Sequence, residues 1–526
     1  MLRRCLLVLM VFSTLTTSAD EGAGKRWWSY VEYLASDKLE GRRTGSAGHR
    51  VAAEFVAAHF KQDGLTPAGT QGYIQPVKFY SCTIVEKESS VALVRGGKSE
   101  PLRLGEDAII RAAVPPSPSL HAALAFVGFG LSVPELNYDD FADQDIRGKI
   151  AVYITGGPSS IPNALRAHAQ SAGERWRALH RAGAIGIISI YNPHQMDIPW
   201  SRAMVLRFQP TMRLADPAMD ELPGDQLGIG FNPAEAEKLF AGSGHTFAEL
   251  VEIAQHGDPL PHFPLAVSLD EHAKYTQEEV TSQNIVGILP GSDPALKKEY
   301  VVISAHVDHL GVGEPINGDR IYNGAMDNAA GVAALIDVAD ALHESGAKPR
   351  RSLLFLVVTG EEAGLLGSRY YTVHPTVPLP QIIGDLNIDM FLPIFPLQRL
   401  IVRGIEESDL GPLLRNVAAA EGVEVQPDPA PERNAFIRSD QYSFIKKGIP
   451  SIFFSFGYKK GSPEEAAVKQ WITNRYHAPS DDVQQPVDLA AAAKYNKIVL
   501  RLAEAMADGD KRPQWNADSF FRRYAK

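Results

Sequence analysis

The sequence predicts an α/β protein built on a mixed, largely parallel central sheet flanked by helices, with a smaller β-rich domain inserted into it. Three observations predict this. From TSQNIVGILPG onward, short apolar runs alternate with segments of helical period: NIVGIL, YVVIS, NAAGVAALIDVADALHES and LLFLVVT. That is the pattern of strands covered by crossover helices. The runs themselves are β-branched, short and bounded by loop residues, as buried strands are. Between 116 and 275 a compact β-α-β pattern of its own interrupts the series.

In chain order, MLRR, CLLVLMVF and Thr17-Ser18-Ala19 supply the basic, apolar and small-residue parts of an export signal, so residues 1–19 are expected to be removed. The apolar run is too short to span a bilayer, and no later segment reaches about 18 consecutive apolar residues. The mature chain is therefore expected to be exported, periplasmic or secreted, without a stable membrane span. Of the two cysteines, Cys5 lies in the signal, leaving Cys82 alone, and no intrachain disulfide can form. Any metal must then be held by histidine and carboxylates.

Residues 20–115 form the first part of the main domain. WWSYVEYLAS and HRVAAEFVAAHFKQDG read as helices, the second with Ala52, Phe55, Val56 and Phe60 on one face and Gly64 at its end. LEGRRTGSAGH between them is a Gly-rich basic loop, either a plain connection or a lip of the active site. Residues 72–112 alternate apolar and polar as edge strands and hairpins do. The insert, 116–275, opens after Pro115–Pro118 with LAFVGFGL. It continues through the helix-like ERWRALHRAGA and the strand IGIISI, and returns to the main domain through GDPLPHFP and LAVSL. Its expected role is scaffold or lid. Residues 276–510 complete the main domain, ending in the amphipathic DLAAAAKYNKIVLRLAEAM. The tail 511–526 is basic and aromatic and is expected to be a solvated end.

The chemistry lies at the strand ends. YVVIS leads into His306 and Asp308, and a Gly-rich loop carries the chain to Asp327. SLLFLVVTG leads into Glu361 and Glu362, QIIGDLNIDM places Asp389 at its end, and GIPSIFFSF is followed after a loop by His477. In open α/β sheets, ligands and catalytic groups collect at the carboxyl ends of strands. Two imidazoles and three carboxylates suit zinc, with manganese or cobalt as substitutes. Five ligands are too many for one open tetrahedral site and about right for two ions roughly 3.5–4 Å apart sharing a carboxylate. Of Glu361 and Glu362, one can bind metal while its neighbour faces the cleft and moves the proton that hydrolysis requires. Asp308 and Asp481 are placed to orient His306 and His477.

SAHVDHLG, NGAMDNAAG, TGEEAGLLGS, NIDM, SDQYSF with GIPSIFF, and RYHAPSDD together resemble the signature set of the co-catalytic di-zinc aminopeptidases. That family includes secreted bacterial leucyl-type aminopeptidases and is related to glutamate carboxypeptidase and the transferrin receptor. LASDKLEGRRTGSAG, AAEFVAAHF and GLTPAG resemble its N-terminal region, and the insert resembles the protease-associated domain of many members. The resemblance implies two Zn2+, with His306 and Asp389 on one ion, Glu362 and His477 on the other, Asp327 bridging and Glu361 as general base. The Asp327–Asn328 bond matches a family cis peptide. Some members place a tyrosine three residues before the Ser-Asp pair. Here Phe436 stands there and cannot donate a hydrogen bond, leaving Tyr442 or Tyr476 as substitutes, or no tyrosine at all.

The expected function is removal of N-terminal residues from peptides. The alternative on the same metal core is a carboxypeptidase or dipeptidase, with Arg433, Arg438 and Arg475 available for a substrate carboxylate. A glutaminyl-cyclase-like acyl transfer is a further possibility, although those relatives look like single-zinc proteins. A non-catalytic receptor-like protein would have lost ligands, and none is lost. A formal net charge of -10 argues against a general nucleic-acid binder and says nothing of oligomeric state.

Overall fold

The computed structural model describes residues 21–111, 119–196, 198–222, 227–433 and 435–525. The expected signal peptide and the Pro115–Pro118 opening of the insert lie outside the described residues. The chain divides into two units, one formed by Met1–Val77, Thr281–Pro429 and Arg438–Lys526, the other by Lys78–Val280 and Ala430–Ile437.

The first unit is a mixed α/β sheet packed on both faces. Eight of the ten strands of its sheet are β1 (Ile74–Ile84), β2 (Tyr275–Leu289), β3 (Tyr300–His306), β4 (Ser352–Val358), β5 (Ile382–Asn387), β6 (Arg399–Arg403), β7 (Glu424–Pro427) and β8 (Ser451–Phe456). They lie in the order β1-β2-β4-β3-β5-β8-β6-β7. β4, β3, β5 and β8 are mutually parallel, while β2 and β6 run antiparallel to their neighbours β4 and β8. Residues alternate between faces along a strand. Val301, Ile303, Leu353 and Phe355 therefore meet helices 21–34, Ala47–Gln62, Ala330–Ser345 and Leu489–Asp508 through Val31, Phe60, Leu335 and Leu502. Val302, Leu354 and Leu356 face the other way, onto Tyr371 and Phe444. Burial on both faces explains why these strands read as continuous apolar runs.

The second unit is built on an eight-stranded sheet. Ser119–Val127, Ile150–Ile154, Gly186–Ile190 and Leu227–Phe231 are parallel neighbours, extended by antiparallel strands on both sides. Helix Ala172–Arg181 lays Trp176 and Leu179 on Ala151 and Tyr153. This unit begins at Lys78, earlier than the boundary expected at 116. The reason is pairing: Ser90–Arg95 bonds to His262–His272, and Ala108–Arg111 bonds to Leu227–Phe231, so these hairpin residues complete the second sheet.

The tail corrects a second expectation. Phe521 is fully buried, Trp515 nearly so, and the Trp515 indole N–H donates to the Gly448 carbonyl at 2.8 Å. Two large aromatic side chains outweigh the basic residues around them, so residues 511–525 pack onto the first unit instead of ending in solvent.

Candidate metal centre

Because β4, β3 and β5 are parallel neighbours, their carboxyl ends share one edge of the sheet. Register sets His306 opposite Val358 and Ser304 opposite Asn387, so Glu361, Glu362 and Asp389 leave the sheet beside His306. Asp327 lies just before helix Ala330–Ser345, and its bond to Asn328 is cis. His477 follows helix Pro463–Asn474 in a left-handed conformation, φ 54°.

All six expected residues converge. His306 Nε2 lies 3.4 Å from Asp327 Oδ1 and 3.4 Å from Asp389 Oδ1. His477 Nε2 lies 3.4 Å from Asp327 Oδ2 and 3.1 Å from Glu362 Oε2. The two oxygens of Asp327 thus face two different histidines. Glu361 stands further from His306, at 4.0 Å.

Asp308 and Asp481 are buried here but do not orient the imidazoles as expected. His306 Nδ1 meets the backbone carbonyl of Asp308 at 3.1 Å, not its carboxylate. That carboxylate instead accepts from the Thr44 hydroxyl and from the backbone N–H groups of Glu361 and Glu362. On an extended segment the side chain and the carbonyl point different ways, and the carbonyl is the one that reaches the ring. The Asp481 carboxylate accepts from the N–H groups of Met326 and Asp327 and from Gln485. It fixes the Asp327 loop, not His477.

Arg42, in the Gly-rich basic loop, is fully buried below this edge. Its guanidinium donates to the carbonyls of Leu34, Val307, Asn323 and Gly324. Burial pulls its pKa down to about 10, while the charges of Asp481, Asp308, Asp327 and Glu362 resist that loss. The loop is therefore a support from beneath the site.

The electrostatics are those of crowded charge. Burial works against the charged imidazole of His306, but Glu361, Asp327 and Asp389 outweigh it and hold the pKa well above the ordinary value. His477 is raised to about 10 in the same way, against burial, by Glu362 and Asp327. Burial would raise Asp327 and Glu362, yet His306 and His477 hold Asp327 well below the usual range, and His477 and His309 bring Glu362 to about 2. Glu361 behaves oppositely: burial, with Glu362, Asp389 and Asp440, drives it well above an ordinary carboxyl despite His306.

Sequence reasoning missed His309. It is wholly buried, with Nδ1 2.7 Å from Glu362 Oε1. A lone histidine in a Gly-rich loop carries no signal of its own, and only its spacing of three from His306 hinted at it. Of the tyrosines weighed for the position held by Phe436, Tyr476 borders the cluster, its ring centroid 3.9 Å from that of His477. Tyr442 carries the Lys446 ammonium over its ring instead. Phe436 falls in the second unit.

The donor set fits divalent cations. Two groups of His and carboxylate atoms converge, His306–Glu361–Asp389 and His309–Asp327–Glu362. Two ligand atoms on a tetrahedral zinc ion, each about 2.0–2.1 Å from it, sit roughly 3.3 Å apart. The His306 and His477 pairs with Asp327, Asp389 and Glu362 have that spacing. Buried carboxylates at this density require positive charge, and nitrogen–oxygen donor sets favour borderline ions such as zinc.

Residues 284–503 match peptidase family M28. A probable leucine aminopeptidase 2 of Aspergillus oryzae is 26% identical over 294 residues, 53% of this chain and 54% of that protein. The chain spans about half the length, or less, of the curated relatives it matches first. Among solved structures, an aminopeptidase from Aneurinibacillus sp. strain AM-1 aligns over 92% of this chain and 93% of its own, with TM-score 0.56 and 18% identity. BSAP, a zinc aminopeptidase from Bacillus subtilis, aligns over 93% and 96%, with TM-score 0.50 and 18% identity. At that identity these two likenesses speak for the fold alone. Every residue of the cluster lies between 284 and 503, inside the segment that matches peptidase family M28.

Proposed function

We propose that this protein is an exported di-zinc aminopeptidase that hydrolyses the N-terminal peptide bond, with Glu361 as general base. The observation that carries the reading is the division of Asp327, Oδ1 toward His306 and Oδ2 toward His477, as a carboxylate shared by two ions requires. His306 and Asp389 would hold one ion, Glu362 and His477 the other. When bound, such ions lower the pKa of water and stabilise charge on the carbonyl oxygen.

The chain's own residues do the rest. Glu361 lies beyond the spacing of the ligand pairs and has an elevated proton affinity, which suits a group that takes a proton from the attacking water and returns it to the leaving amine. Asp308 holds the backbone of Glu361 and Glu362, and Asp481 holds that of Asp327, so both carboxylate-bearing turns are fixed before substrate arrives. The second unit is read as a protease-associated domain acting as scaffold or lid. Export rests on the signal-like residues 1–19. Among the described residues no helix is long and apolar enough to cross a membrane.

A carboxypeptidase or dipeptidase on the same core would need a cation for the substrate carboxylate. Arg475 is engaged with the Ser480 carbonyl. Purified protein assayed on free-amine, N-blocked and C-blocked dipeptides, alongside elemental analysis, separates the two. Cleavage of substrates with a free amine whatever their C-terminus, by protein holding two zinc ions, is expected. Cleavage only of peptides with a free carboxyl end replaces this reading with the second, and an active, metal-free preparation ends both.

A further inference from the structure

We propose that His309 is a positioning residue that clamps Glu362. Its Nδ1–H donates to Oε1 and leaves Oε2 as the oxygen presented toward His477. The inference rests on the di-zinc reading above. Two imidazoles divide Glu362 between them: His309 Nδ1 sits 2.7 Å from Oε1, and His477 Nε2 sits 3.1 Å from Oε2.

Distance separates this role from that of a ligand. The histidine–carboxylate pairs assigned to the ions stand 3.1–3.4 Å apart, the spacing of atoms around a shared cation. His309 and Glu362 are closer, at the length of a charge-assisted hydrogen bond. From Asp327 Oδ2 His309 is further, at 4.0 Å. An N–H that bonds a carboxylate oxygen cannot also give that nitrogen's lone pair to a metal. The other ring nitrogen, Nε2, has no hydrogen-bond partner, so the bond to Glu362 is the one that orients the ring.

The ring is held where this bond demands. The His309 backbone N–H meets the Arg42 carbonyl at 3.4 Å. Its face lies against Gly324, where a Cβ would stand 2.4 Å from the ring's Cγ, so only glycine admits the imidazole. Gly324 is also in the left-handed region, φ 60°, which favours glycine for a second reason. The clamp spares Glu362 the choice between its two oxygens, and partners of this kind typically govern 10–100-fold in metal affinity.

Zinc titration against a competing chelator tests the clamp without any measurement of turnover. His309→Ala is expected to lose about 10–100-fold in affinity for one of two ions while the other binds as before. His309→Asn, whose side-chain amide N–H replaces Nδ1–H, is expected to recover most of that loss. X-ray absorption of the native zinc-loaded protein is expected to count two imidazoles over two ions. Native affinity for both ions in His309→Ala, no recovery in His309→Asn, or three imidazoles over the two ions would each overturn the clamp. The native spectrum decides the last point even if the variants do not fold. A native protein that binds no zinc overturns the di-zinc reading itself, and the clamp with it.

Discussion

Glu361 and Arg42 show how much a single side chain can decide here. Glu361 is raised by burial and by neighbouring carboxylates, and the proposed reading makes it a proton acceptor more than a ligand. Glu361→Gln is therefore expected to keep both zinc ions and the native thermal transition while turnover falls about 10²–10⁴-fold. Elemental analysis paired with steady-state assay checks this, and normal turnover would remove Glu361 from the mechanism. Arg42 satisfies four buried carbonyls, two of them in the Asn323–Gly324 turn before Asp327 and one at Val307 beside Asp308. Arg42→Met strands those acceptors and removes a cation from under a carboxylate cluster. A loss of about 3 kcal/mol or more in urea unfolding is expected, together with weaker zinc binding. The types of the six converging residues were legible from the sequence because each follows an apolar strand or its loop. Asp308 and Asp481 were legible as supports but not their partners, the backbone N–H groups of Glu361, Glu362, Met326 and Asp327, and Arg42 and His309 were not singled out at all; such partners depend on tertiary geometry alone.

At the scale of elements, continuous apolar runs were the readable part. β3, β4, β5 and β8 are buried on both faces, so their signal is undiluted. Residues 78–111 were harder, because an alternating strand serves either sheet equally well and only pairing partners decide. Strand His262–His272 alternates, and the last of its buried positions, after Leu265, Val267 and Leu269, is a carboxylate. Glu271 points inward, neither carboxylate oxygen has a hydrogen-bond partner, and burial alone raises its pKa to about 7. A folded pKa above the unfolded one means that the proton favours the native state. That contribution is complete below the ordinary carboxyl value near 4.5 and is lost as pH rises through 7. Glu271→Gln removes the dependence, so relative to the variant the native protein should lose on the order of 1 kcal/mol between pH 4 and 8. Denaturant midpoints measured across that range check it; parallel pH curves for the two proteins would show that Glu271 is already ionised when folded.

The molecule as a whole consists of two units with separate cores, and the buried cluster of histidines and carboxylates proposed to hold cations belongs to one of them. This arrangement predicts how metal and heat interact. In the first unit Asp327, Glu361, Glu362 and Asp389 crowd against imidazoles, and without cations their mutual repulsion opposes the native state. An ion that binds the folded cluster and not the unfolded chain stabilises it by about 2.7 kcal/mol at a free concentration of roughly 100 times its dissociation constant. The second unit holds none of these residues and gains nothing directly. Calorimetry should therefore resolve two transitions, since units with their own cores need not unfold together. Adding zinc to chelator-stripped protein should move one transition upward by several degrees, increasing with zinc concentration, and leave the other in place. Proteolysis at the intermediate temperature should identify the unit that has melted without zinc as the one containing residues 284–429. If both transitions shift equally, zinc is not acting on the cluster of the first unit alone, and the link between the buried carboxylates and metal-dependent stability does not hold.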